Sequence, residues 1–315
     1  MAYYIGVDVG GTNIKSGIID DSGNIINESS IPTGADRPQD VVLQDILQSV
    51  RELIDSSKID INAIKSAGVG TPGMIDYDTG SVIYNNNLGW KNFHIAEKMT
   101  QALGISTTLE NDADAAALGE VIAGSAKGAK SAMIVTLGTG VGVGIVIDNK
   151  IFRGSEFGHM VILKNGRPCK CGRKGCWESY ASATGLIVST FEEVNANPES
   201  ILAKTAELEG KITGRTVFDA ADRGCEVAKK VIDDYITNLS CGLSNLINGM
   251  NPEIISLGGG VANQGEKLLV PLREKVMSEI YEGLRHKASK IVACTLGYKA
   301  GLIGAAMASK NALNN

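Results

Sequence analysis

"VDVGGTNIKSGIID" (Val7–Asp20) and "VTLGTGVGVGIVID" (Val135–Asp148) share one pattern. Each is an apolar, β-branched run, then a glycine-bearing turn (Gly10-Gly11-Thr12 or Gly138-Thr139-Gly140), then a second apolar run ending in Ile-Asp. β-Branched residues favour strands and glycine punctuates turns, so each stretch predicts a strand–turn–strand hairpin. Its recurrence predicts a duplicated domain. Glycine at such a turn lets main-chain N–H groups approach an anion with no Cβ in the way. Neither turn is a P-loop, because Gly-x4-Gly-Lys-Ser/Thr is absent. Nor is "GTGVGVG" a dinucleotide fingerprint, because valines stand where a helix should begin.

Outward from the hairpins, helical and strand patterns alternate. "VVLQDILQSVRELIDSS" repeats apolar residues at helical spacing, "IKSAGVGTPGMID" is a strand entering a Pro-Gly loop, and "FHIAEKMTQALG" is a helix with a glycine stop. "ISTTLENDADAAALGEVIAG" reads as a strand, a polar turn and an alanine-rich helix. A third glycine cluster, Gly258-Gly259-Gly260, follows an apolar strand and suits a nucleotide-facing loop. The second half is otherwise mostly helical, and the last helix, "AGLIGAAMASKNAL", is expected to return to the first domain. The fold class is α/β, with two similar domains and a cleft between them. The expected division is residues 1–112 with about 298–315, and about 113–297 carrying the loop 156–178.

Composition excludes several classes. A length of 315 residues, 43% of them hydrophobic, suffices for a large core and two domains. The net charge of -5 argues against nucleic acid and against a membrane surface, both of which call for a basic face. No run is apolar for long enough to span a bilayer, and the N-terminus reads as a strand rather than a signal peptide. The expected compartment is the cytoplasm, where clustered cysteines are more often metal ligands than disulfides.

That matters for "EFGHMVILKNGRPCKCGRKGCWES" (Glu156–Ser179), which holds three of the six cysteines. Cys169, Cys171, Cys176 and His159 supply three sulfurs and one nitrogen, a donor set suited to tetrahedral zinc. A redox pair of Cys171 and Cys176 is the alternative, but it lacks Cys-x-x-Cys spacing and leaves Cys169 unexplained. Cys225, Cys241 and Cys294 read as small core residues, and Trp177 as a packing residue. The cations Lys170, Arg173 and Lys174 read as a solvated loop. In "NNNLGW", Asn86, Asn87 and Trp90 are further candidates for the ligand pocket.

Asp8-x-Gly10-Gly11-Thr12, Glu110-Asn111-Asp112-Ala113, Gly138-Thr139-Gly140, Glu156-x-x-His159, Cys169-x-Cys171-x4-Cys176 and Gly258-Gly259-Gly260 occur in that order. Together they resemble the ROK family (repressors, open reading frames and kinases), above all its bacterial glucokinases, over essentially the whole chain. The resemblance implies the actin-like ATPase fold and transfer of the γ-phosphoryl group of ATP to the 6-hydroxyl of glucose. A sugar hydroxyl is a poor nucleophile and needs a base, and the resemblance assigns that role to Asp112. The plainer reading of Asp112 is a helix cap.

The same resemblance places Asn111, Asp112, Glu156, His159 and Glu178 on the sugar, and a structural Zn²⁺ on His159, Cys169, Cys171 and Cys176. Asp8, beside phosphates, calls for an intervening Mg²⁺, reached through water. Gly10, Gly11, Thr12, Gly138, Thr139 and Gly140 would hold the phosphates of ATP, and Gly258, Gly259 and Gly260 would border adenosine. A homodimer, or a dimer of dimers, is implied as the assembly. N-acetylmannosamine, N-acetylglucosamine and fructose are the alternative substrates. A sugar-responsive repressor would need a helix-turn-helix segment, for which the first strand leaves no room. A non-catalytic sensor would have no use for Asp112 with both hairpins.

Overall fold

The computed structural model describes residues 1–85 and 87–313; the candidate Asn86 lies outside the described residues. Strands β1 (Tyr3–Val9), β2 (Asn13–Asp20) and β3 (Ile25–Pro32) lead into helix α1 (Gln39–Ser57) and β4 (Ile64–Thr71). Three short strands follow, β5 (Met74–Asp76), β6 (Ser81–Asn85) and β7 (Trp90–Phe93), then α2 (Ile95–Leu103), β8 (Thr107–Asn111) and α3 (Asp112–Ala123). Next come β9 (Ser131–Leu137), β10 (Val141–Ile147), β11 (Lys150–Ile151), α4 (Glu178–Ala181), α5 (Ala183–Ala196), α6 (Ile201–Glu209) and α7 (Thr216–Asp222). The chain closes with α8 (Glu226–Met250), β12 (Ile254–Gly258), α9 (Glu266–Glu279), β13 (Lys290–Ala293) and α10 (Lys299–Leu313).

Two five-stranded sheets carry the same order, β3-β2-β1-β4-β8 and β11-β10-β9-β12-β13. In each, a hairpin trio occupies one side and two later strands extend the other. In the first, β1, β2 and β3 pair antiparallel, while β4 and β8 join β1 in parallel. The repeated hairpin is therefore the opening of a repeated sheet. A third sheet, β5-β6-β7, carries Trp90. Trp90 is fully buried, edge-on to Phe93 at 5.1 Å, and so belongs to the core.

The chain separates into two compact units, Met1–Ile134 with Gly144–Arg153 and Cys294–Asn315, and Val135–Val143 with Gly154–Ala293. This differs from the division expected at Asp112. Helix α3 stays with the first sheet because it packs against α10. At Gly304 a Cβ would strike the Ala115 carbonyl oxygen, and at Gly68 it would strike that of Ala305. Glycine at these two positions lets α10 lie directly on both sheet and helix, contact that any side chain would prevent. The core of this unit is Ile, Val and Leu from β1, β2, β4 and α1, closed by Trp90, Phe93 and Met99. Among the described residues no helix is long and apolar enough to cross a membrane.

Candidate active site

In the first unit, Asp8 sits near the end of β1 and Asp112 opens α3. The helix begins there because Asn111 caps it: the Asn111 side-chain oxygen accepts from the N–H groups of Ala113 (2.9 Å) and Asp114 (3.3 Å). Capping, the plain reading of Asp112, thus falls mainly to its neighbour. Asp112 Oδ1 shares the Ala113 N–H at 2.9 Å, and the carboxylate also accepts from its own N–H. Asn111 keeps its amide N–H₂ as a donor, whereas its oxygen is committed to the helix.

Burial raises the pKa of Asp112, opposed by the Ala113 N–H. Asp8 is pushed up to about 6, first by burial and then by the negative charge of Asp112, with Lys15 acting the other way. Lys15 stands opposite Asp8 in the β1–β2 register, its Nζ 4.3 Å from the centre of the Tyr298 ring. Between these strands the turn Gly10–Thr12 is held from beneath by buried Thr33, whose hydroxyl donates to Gly10 O (2.6 Å) and whose N–H donates to Thr12 O (2.9 Å). Gly11 and Thr12 are exposed above it.

In the second unit, the turn Gly138–Gly140 joins β9 to β10. Gly138 O accepts from Ala183 N–H (2.9 Å), and the Thr184 hydroxyl donates to Thr139 O (2.8 Å). Glu178 is the third anchor. Its Oε2 accepts from Val141 N–H at 3.0 Å, and a Cβ on Gly140 would collide with that carboxylate. Gly259 adopts φ +86°, and a Cβ there would strike the Leu137 backbone, so the third glycine cluster turns tightly against the end of β9. A cavity of about 470 Å³ borders Thr139, Gly140, Cys169 and Glu178. Glu156 lies exposed before the short helical turn Phe157–His159.

His159, Cys169, Cys171 and Cys176 converge, with candidate ligand atoms all within 4.8 Å of one another. Cys171 Sγ and Cys176 Sγ are 3.6 Å apart, and Cys169 Sγ lies 3.5 Å from His159 Nδ1. A disulfide would need about 2.05 Å. Tetrahedral zinc with bonds of ~2.3 Å to sulfur and ~2.0–2.1 Å to nitrogen would set edges of about 3.8 and 3.6 Å, so the four residues fit that ion. Burial, then the neighbouring thiols, pushes the Cys176 thiol up. A dication at the centre would reverse that and favour thiolates.

Backbone bonds shape the loop: Cys169 N–H to Arg173 O, Gly175 N–H to Arg167 O, and Trp177 N–H to Met160 O, each 2.8 Å. Trp177 is fully buried over Gly242 of α8 and donates from Nε1 to Asn238 O at 3.0 Å, which makes it the packing residue expected. Of the remaining cysteines, Cys225 is buried as read, whereas Cys241 and Cys294 are only partly covered.

A family model described as the ROK family matches residues 4–312. The chain belongs to the ROK family. It is 36% identical over 308 residues to a glucokinase of Halalkalibacterium halodurans, covering 96% of this chain and 93% of that one. It is 33% identical over 314 residues to a glucokinase of Streptomyces coelicolor, covering 97% of each. The crystal structure of a ROK family glucokinase from Streptomyces griseus in complex with glucose and AMPPNP superposes with a TM-score of 0.78, at 33% identity over 98% of this chain and 100% of that one. The actin-like ATPase fold expected from the motifs is the fold of these ROK kinases.

Two features of this ROK chain escaped sequence reasoning. Glu110, fully buried beside Asn111, accepts from Arg153 Nε at 3.2 and 3.1 Å and pairs with its Nη2, while Tyr77 covers the guanidinium at 4.6 Å. Buried Glu120, at the far end of α3, accepts from the N–H groups of Ser125 (2.7 Å), Thr295 (3.1 Å) and Leu296 (2.9 Å). The first pair fixes the end of β8 that carries Asn111. The second ties α3 to the segment before α10. Neither tie has a local signal, because Arg153 lies 43 positions from Glu110, and Thr295 and Leu296 lie 175 and 176 positions from Glu120.

Proposed function

We propose that this ROK protein is an ATP-dependent glucose kinase, transferring the γ-phosphoryl group of ATP to the 6-hydroxyl of glucose, with Asp112 as general base. The observation that carries the mechanism is a half-buried carboxylate at a strand-to-helix junction, relieved of capping by Asn111 and with an elevated pKa. A stronger base accepts the proton of a sugar hydroxyl more readily. The Asn111 amide N–H₂ donates to the sugar. Glu156 and the second ring nitrogen of His159 hold other hydroxyls. Glu178 keeps Oε2 on the hairpin and offers Oε1, the oxygen 3.9 Å from Cys169 Sγ, to the sugar.

Phosphoryl transfer passes through a loose transition state, so the protein's task is to position the reactants and stabilise charge. The turns Gly10–Thr12 and Gly138–Gly140 direct backbone N–H groups at the phosphates, and Gly258–Gly260 border the adenosine. Mg²⁺, bound with the nucleotide near Asp8, would offset phosphate charge. Zn²⁺ on His159 Nδ1, Cys169, Cys171 and Cys176 would be structural, because four protein ligands leave no position for water. The resemblance supports a homodimer, and ATP as donor together with six free cysteines suits a reducing cytoplasm.

The test is ATP-dependent turnover across glucose, mannose, fructose, N-acetylglucosamine and N-acetylmannosamine, for wild type and Asp112→Asn. Glucose should be preferred, and the variant should lose about 10²–10⁴ in kcat while still binding sugar. Preference for an N-acetylated sugar would overturn the substrate. Undiminished turnover by Asp112→Asn would overturn the base.

A further inference from the structure

Between α8, α9 and β13 lies a cavity of about 520 Å³ that none of the catalytic or zinc-binding candidates lines. Its floor is apolar and fully covered: Ile247, Val276, Ile280 and Ile291. Its other notable lining is basic: Arg273, Arg285, His286, Lys287 and Lys290. Among the described residues no aspartate or glutamate lines it, although acidic residues outnumber basic ones in the chain by 35 to 30.

Two of the cations are committed. Arg273 bonds Ile291 O (2.8 Å) and Glu266 (2.7 Å), and Arg285 bonds Ser278 O (3.1 Å). His286, Lys287 and Lys290 hold no ion pair with a described residue, although ion pairs are frequent elsewhere on this unit. Gathering like charges around an apolar pocket is repulsive in the absence of a counter-charge. An anion at the rim relieves that repulsion, and an apolar body on the floor removes hydrocarbon surface from water.

We infer that this cavity is a second ligand site, for a small anionic molecule with an apolar body: a phosphate or carboxylate head against Lys287 and Lys290, and a hydrocarbon portion against the accessible apolar lining of Met277, Ala288 and Val292 above the covered floor. The site is separate from the proposed kinase chemistry. Its binding test needs neither sugar nor ATP, so it stands or falls independently of that reading.

The probes are octyl phosphate, octan-1-ol and inorganic phosphate. Binding is followed by calorimetry and by the ¹³C-methyl signal of Met277, a partly exposed lining residue whose resonance is assigned with Met277→Leu. Octyl phosphate should shift that signal and bind at least about tenfold more tightly than either fragment. Lys287→Glu/Lys290→Glu should weaken it by about tenfold or more, with Lys287→Gln/Lys290→Gln intermediate and hexose turnover unchanged. Equal binding of octanol, or equal binding by the charge-reversed variant, would overturn the proposal. So would binding of no probe, and a change of oligomeric state in the charge-reversed variant would then identify the face as an interface between copies.

Discussion

Asp8 keeps its proton at a pH where an exposed aspartate has lost it. Its folded pKa of about 6 stands above an unfolded value of about 3.9. The folded state therefore binds more protons between those values, and its stability falls as pH rises from about 4 to about 6. Once Asp8 loses its proton, the neighbouring Asp112 carboxylate disfavours its charge and Lys15 favours it, an arrangement that a bound cation would relieve. Asp8→Asn should stabilise the nucleotide-free protein by about 1–2 kcal/mol at about pH 7.5 while abolishing turnover, and the gain should vanish near pH 4. Urea unfolding at both pH values measures it, and an equal gain at both would exclude the linkage. The positions Asp8, Asn111 and Asp112 were legible from their motifs. That Asn111 is the cap was not, because residue type alone cannot say which of two adjacent polar residues turns back onto the helix.

The loop 156–178 is held by isolated bridges and single backbone bonds, and among its apolar side chains Trp177 and Cys176 are the ones fully buried. The proposed zinc would supply the order that such a loop cannot draw from burial. One zinc per chain is expected by elemental analysis. Cys176→Ser should lose it, lower Tm by several degrees, and raise the KM for glucose more than it lowers kcat, because Glu178 sits beside Cys169. A zinc-free variant with unchanged KM would separate metal from sugar. The convergence of His159, Cys169, Cys171 and Cys176 was readable because spacing and donor chemistry are local. At the end of β8 the opposite holds. Arg153 reaches buried Glu110 across 43 positions of sequence. Arg153→Ala leaves that carboxylate unpaired and should cost about 2–3 kcal/mol, less than a fully buried pair because Arg153 is half exposed. Adding Glu110→Gln should recover part of the loss in urea unfolding, and strict additivity would refute the coupling.

On the scale of the whole chain, a ligand that binds only the folded protein stabilises it by mass action. Glucose at 100 times its dissociation constant should add about 2.7 kcal/mol and raise Tm by a few degrees without ATP. Fructose or N-acetylglucosamine giving the larger shift would reassign the sugar. The duplication was legible at this scale too, because two hairpins of one pattern open two sheets of one strand order. The division of the chain was not, and the helix after Asp112 belongs with the first sheet.

The sequence by itself determined which elements form, that they repeat, and which donors can hold a metal, because strand patterns, glycine turns and ligand spacing are encoded within a few residues of one another. Tertiary structure alone decided that α10 lies on Gly68 and that Gly304 meets Ala115, that Arg153 finds Glu110, and that Glu178 ties the hairpin turn to the cysteine loop. Each of those depends on close packing or on the pairing of a buried charge across long separations, and neither leaves a periodicity in the chain.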